Sequence, residues 1–163
     1  MKNMKRILAI SLSAVMLLAL LAACGGKKDS DVSIDLNALW GKITALGELP
    51  MLEDIPEEYL ADLCGIDPAD LEEYLYKRPG MNVQATEFFV AKVKEGKMDT
   101  VKAALESHQA NLDAQWSTYL PDQYALVKNY KLTTNGGYIF FAVSEYAEQA
   151  EKAFNDAIAA AKS

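Results

Sequence analysis

One histidine, His108, and two cysteines, Cys24 and Cys64, are all that 163 residues supply of the side chains that most often carry nucleophilic, redox or metal chemistry. With one imidazole, a zinc site would have to be built almost wholly from carboxylates, and any Ser-His or Cys-His pair would have to share that base. No catalytic residues, no metal site and no cofactor are therefore expected. Cations are scarce as well, with 16 Lys and Arg against 23 Asp and Glu. Three of them are Lys2, Lys5 and Arg6, so without the first 23 residues the balance is 13 against 23, a net charge of −10. Phosphate-binding faces need the opposite sign, which excludes nucleic acid as a partner. The same charge is repelled by an anionic lipid surface, so only a covalent anchor would hold the domain near one. A comfortable bilayer-spanning run is missing too: Ile7 to Leu21, apolar apart from Ser11 and Ser13, is short for one.

What is present begins with that short run. Behind Lys2, Lys5 and Arg6 it has the layout of an export signal. It ends in Leu21-Ala22-Ala23-Cys24-Gly25, which resembles the lipobox of bacterial lipoproteins: a branched residue, two small ones, then the cysteine that receives diacylglycerol. The expected division is a signal peptide over 1–23, a lipidated Cys24 with a flexible tether over 24–33, and a globular domain over 34–163. The implied location is the outer face of the bacterial cytoplasmic membrane, held through diacylglyceryl-cysteine. Two acyl chains suit the task, because one gives only marginal membrane binding. Gly25-Gly26-Lys27-Lys28-Asp29-Ser30-Asp31 has nothing to pack, and a coil of the tether's length spans about 15–18 Å. With the sulfur of Cys24 acylated, Cys64 has no disulfide partner. It stands in Leu63-Cys64-Gly65-Ile66, where a buried, inert thiol is expected.

In the domain, Leu36, Leu39, Trp40, Ile43 and Leu46 recur at helical spacing behind Asp35, a capping residue. Pro56 opens a short second helix that Gly65 stops, and Asp67-Pro68-Ala69-Asp70 adds a turn. Leu71–Lys77 and Phe88–Lys94 read as strands. After Gly96, the stripe Met98, Val101, Leu105 and Leu112 marks a long helix towards Trp116, ended or re-aimed by Pro121. Leu126–Thr134 and Tyr138–Val143 read as strands around an Asn135-Gly136 turn, with Ile139-Phe140-Phe141-Ala142-Val143 apolar on both faces as in a central strand. Tyr146, Ala150, Ala153, Phe154, Ala157 and Ile158 outline a closing helix. Strand, strand, helix thus occurs twice. The expected fold is α+β: one domain, a four-stranded, mainly antiparallel sheet with two long helices on one face, preceded by a short helical segment.

Ten carboxylates lie between Glu48 and Glu73 with no Lys or Arg between Lys42 and Lys77. They lack the alternating ligands and glycine turn of a calcium loop and read as a solvated acidic face. His108 borders the apolar stripe of the long helix and reads as a partly buried structural residue. Asn82, Thr86, Glu87, Tyr119, Gln123 and Tyr124 fall in loops or at element ends, and form the candidate interaction surface. Each also has a structural reading: Asn82 in a turn, Glu87 as a cap or a partner of Arg78, the tyrosines seating a helix on the sheet.

Three stretches carry a family likeness: Met81-Asn82-Val83-Gln84-Ala85-Thr86-Glu87; Trp116-Ser117-Thr118-Tyr119-Leu120-Pro121-Asp122-Gln123-Tyr124 with Val127-Lys128-Asn129; and Asn135-Gly136-Gly137-Tyr138, all after Gly65-Ile66-Asp67-Pro68. From about Leu36 to its end, the chain resembles the domain of unknown function 4358 family of bacterial lipoproteins. The resemblance implies a lipid-anchored envelope protein, and brings no catalytic residues with it. The leading expectation is a non-enzymatic module that binds an envelope protein or a cell-wall component. A carboxylate-dependent envelope hydrolase would need two acids facing across a cleft, and a small-ligand-binding lipoprotein would need a closed apolar pocket.

Overall fold

A computed structural model describes residues 32–163. The expected signal peptide, Cys24 and the tether as far as Asp31 lie outside the described residues.

Asp35 does cap the first helix. Its Oδ1 accepts the Asn37 N–H at 2.9 Å and the Ala38 N–H at 3.0 Å, satisfying two of the donors that open α1 (Leu36–Thr44). The face so fixed buries Leu36, Leu39 and Ile43. A two-residue strand, β1 (Glu53–Asp54), follows, then a tight turn of helix over Glu57–Tyr59 that runs into α2 (Leu60–Cys64). Gly65 ends α2 at φ 70°, a left-handed cap that a side chain would strain. Another turn at Pro68–Asp70 leads to β2 (Leu71–Arg78), and a loop connects it to β3 (Glu87–Val93). The long helix α3 (Met98–Trp116) buries Val101, Leu105, His108, Leu112 and Trp116 at spacings of three and four. Then come α4 (Pro121–Lys128), β4 (Lys131–Asn135), β5 (Tyr138–Val143) and the closing α5 (Ala147–Lys162).

The sheet has five strands in the order β1-β2-β3-β5-β4, every neighbour antiparallel. Alternation along the two central strands explains the rest. Phe89, Ala91, Val93, Ile139, Phe141 and Val143 face a core closed by α2, α3 and α4; Phe88, Val90, Tyr138, Phe140 and Ala142 face a second core closed by α1 and α5. Each fully buried Phe contributes about 1.5–3 kcal/mol of transfer free energy, so neither face could be left to water.

The antiparallel α+β domain is therefore as read from the sequence, with two corrections. The sheet has a fifth strand, β1, too short for any alternation pattern to show. The two long helices lie on opposite faces, α3 on one and α5 on the other, so the second strand-strand-helix unit does not repeat the arrangement of the first. Two local assignments also shift. Residues expected to begin a strand at Leu126 complete α4, which Pro121 opens rather than merely ending α3. In the β4–β5 hairpin the two left-handed residues are Gly136 (φ 59°) and Gly137 (φ 79°), while Asn135 ends β4 opposite Tyr138.

Candidate functional site

The polar residues best equipped for chemistry meet inside the α3-side core. Glu87 is the first residue of β3, Tyr76 lies on β2 and His108 on α3. His108 Nε2 and Glu87 Oε1 are 2.6 Å apart, with side-chain exposures of 6% and 3%. The Tyr76 hydroxyl donates to the other oxygen, Glu87 Oε2, at 3.1 Å. Both oxygens of one carboxylate are thus satisfied by protein donors, which is what burying such a group requires. Rings pack around it: Phe141 edge-on to His108 at 5.8 Å between centroids, and Phe89 edge-on to Tyr76 at 5.5 Å. Burial, with the Glu87 charge beside it, pushes the Tyr76 phenol above its usual range, so it stays protonated and donates.

Cys64 belongs to the same core. Its thiol donates to the Leu60 carbonyl at 3.2 Å and is pushed up to about 12, chiefly by burial. A thiol held protonated in this way is a poor nucleophile.

The six residues expected to form one polar surface do not lie together at the surface. Thr86 and Glu87 are buried, a correction with a simple cause: they lead into and begin a strand enclosed on both sides. Glu87 pairs with His108 and Tyr76 rather than Arg78. Gln123 is half-buried, and its Oε1 accepts the Ala85 N–H at 2.9 Å, pinning the β2–β3 loop to α4. Tyr124 is half-buried beneath the Lys128 ammonium, 5.8 Å from its ring centroid. Asn82 and Tyr119 are exposed, and Tyr119 leans on Trp116 at 5.7 Å between centroids. The acidic segment is partly committed internally: Asp54 pairs with Lys77, Asp70 with Lys97 and Glu72 with Lys92, while Glu73 accepts from the Tyr138 hydroxyl.

Missed in the sequence was an apolar surface. Met51 is 86% exposed, Met81 71% and Val83 44%, and all three line one shallow depression of about 300 Å³ with Pro50, Pro79 and Glu53. Nothing in periodicity marks these positions. The one available sign was large apolar residues standing beside prolines in loops.

The fold and this arrangement define a single α+β domain with helices on both faces of an antiparallel sheet, a buried Tyr-Glu-His group in one core, and apolar side chains at its loop tips. Residues 45–144 match the family described as domain of unknown function (DUF4358), and the chain belongs to that family. The matched span contains the whole sheet and α2 to α4, and leaves out α1 and α5, which close the second core. No curated protein and no solved structure matches the chain.

Proposed function

We propose that the chain is a lipid-anchored extracytoplasmic protein whose domain binds a protein of the cell envelope and performs no chemistry on it. The observation that carries this reading is the grouping of Met51, Met81 and Val83 on the surface. Large apolar side chains gathered at loop tips are costly to leave in water, and such patches mark contact with other proteins. Methionine suits a contact of this kind, because its unbranched, polarisable side chain adapts to the surface it meets. Support also comes from the interior: Tyr76, Glu87 and His108 satisfy one another, and burial keeps the Cys64 thiol protonated, so these groups are occupied within the core. An acidic domain on a short lipidated tether would stay close to the membrane without lying on it.

Two measurements on protein from its own host test the reading. Mass spectrometry should find the chain starting at Cys24 with a diacylglyceryl adduct; an intact Met1 with an unmodified thiol overturns the anchoring. Crosslinking in living cells should repeatedly capture the same envelope protein. Turnover of an envelope substrate, abolished by replacing one or two surface carboxylates, would overturn the non-enzymatic part.

A further inference from the structure

The second strand of the sheet is only partly covered. β1 pairs with Lys77 and Arg78 alone, and one more bond, from the Ile55 N–H to the Tyr76 carbonyl at 3.0 Å, ends the contact before Pro56 carries the chain away. On its other side β2 pairs with β3 from Leu71 to Lys77. The outer edge of β2 from Leu71 to Leu75 therefore has no strand beside it among the described residues. Because the Tyr76 carbonyl faces β1, alternation turns the N–H and C=O of Tyr74 to the same open side.

A groove of about 600 Å³ runs along this edge, walled by Ile34 and Asp35 at the start of α1 and by Asp54 and Ile55 opposite, with Glu73 and Tyr74 on its floor. Its charge is of one sign. Asp35, Asp54 and Glu73 line it, and the carboxylates of Glu57, Glu58 and Asp54 lie near enough to help hold the Tyr74 phenol above its ordinary range, behind the larger effect of burial. Lys77, the nearby cation, is paired with Asp54 and lies 5.4 Å from the Trp40 ring centroid. An open strand edge binds an extended segment through backbone hydrogen bonds, and the charge around it selects which segment. A second copy of this chain would bring the same acids against themselves, and like charges at close range oppose pairing.

We infer that the outer edge of β2 at Glu73–Leu75 takes up an extended, lysine- or arginine-bearing segment of the partner protein as an added strand. The inference rests on the binding role proposed above and names where and what the domain binds.

The test uses the full-length chain in detergent micelles and three labelled hexapeptides: alternating lysine and valine, the same with glutamate for lysine, and the lysine peptide methylated on alternate backbone nitrogens. Fluorescence anisotropy should show the lysine peptide binding at least about tenfold tighter than either of the others, and its advantage over the glutamate peptide should shrink in 0.5 M salt. Hydrogen exchange at the Tyr74 amide should slow at least about tenfold when the lysine peptide saturates the protein. The double variant Glu57→Gln/Glu58→Gln, at exposed positions, should weaken the preference for lysine over glutamate while its thermal midpoint stays close to the parent's. Equal binding of all three peptides overturns the inference. So does an unchanged Tyr74 amide, protection of that amide in a dimer without peptide, or binding seen only after residues 24–31 are removed. A photocrosslinker at Glu57, compared with one at Met81, separates this inference from the reading beneath it. A partner captured in cells from Met81 but never from Glu57 leaves the binding role standing and removes the edge.

Discussion

Glu87 Oε1 stands 2.6 Å from His108 Nε2, and the two residues, 21 positions apart, form the polar centre of an otherwise apolar core. Each side chain is the other's replacement for water. Removing one partner leaves the other buried without compensation, a loss of about 3–5 kcal/mol for a broken buried pair, whereas replacing both by apolar residues leaves only the Tyr76 hydroxyl, which donates to Glu87 Oε2, without its partner. His108→Leu and Glu87→Leu should each lower stability by about 3 kcal/mol, and the double variant should be more stable than the sum of the two losses by at least 1 kcal/mol. Urea unfolding of the four proteins checks this. Additive losses would show that the contact carries no coupling.

Alkaline pH should act on the groups that the fold keeps protonated. Cys64 has an ordinary value of 9.0 and is pushed up to about 12 by burial; Tyr138, ordinarily 10.0, is pushed up to about 12 by burial and its bond to Glu73; Tyr76 is raised further. In each case the folded state holds a proton that the unfolded chain gives up first. The stability this represents is complete below pH 9 and is lost as pH rises from there towards 12. Urea midpoints at pH 8, 10 and 11 should therefore fall in order. Cys64→Ala should lessen the part of the decline that begins near pH 9, and an unchanged decline would show that the tyrosines alone account for it.

How much of this was legible depends on which residues carry local signals. Asp35, Pro56 and Gly65 have roles set within a few residues of themselves, and each is where sequence reasoning puts it. The continuous apolar run Ile139-Phe140-Phe141-Ala142-Val143 already says that both faces of β5 are covered, and that sign conflicts with placing both long helices on one side. A strand of two residues such as β1 carries no periodicity at all. Pro121 is ambiguous by nature: the residue that ends α3 also opens α4, and Leu120 between the two helices stands at φ 43°, outside the right-handed helical region. Glu87 with His108 was hidden for a different reason. Each looked unremarkable alone, and only the packing of α3 on β3 brings them together.

The β4–β5 turn gives a backbone prediction. Gly136 has φ 59°, and a Cβ placed on it would come within 2.9 Å of a methyl of Ile158 and 3.2 Å of Val32. Gly136→Ala thus adds a backbone penalty to a clash with α5. A loss of about 1–2 kcal/mol is expected, more than the 0.4–1 kcal/mol gain that alanine brings where the backbone tolerates it. For a domain of this size that is a fall of about 3–8 °C in thermal midpoint. A rise in the midpoint would show that the hairpin relaxes away from α5 at no cost.

Met51 and Met81 separate fold from binding. Both are largely exposed, so their apolar surface contributes almost nothing to the core, and their replacement removes no buried contact of the kind that makes core substitutions costly. Met51→Ser/Met81→Ser should stay within about 0.5 kcal/mol of the parent in urea unfolding. The same change takes away much of the patch that a partner would cover, and the residues central to an interface carry most of its energy. On the proposed binding role, capture of an envelope protein in cells should fall at least about tenfold, as expected for a loss of 1.4 kcal/mol or more. Full capture by the double variant, with stability unchanged, would mean that the depression between Pro50 and Pro79 is not where the partner sits.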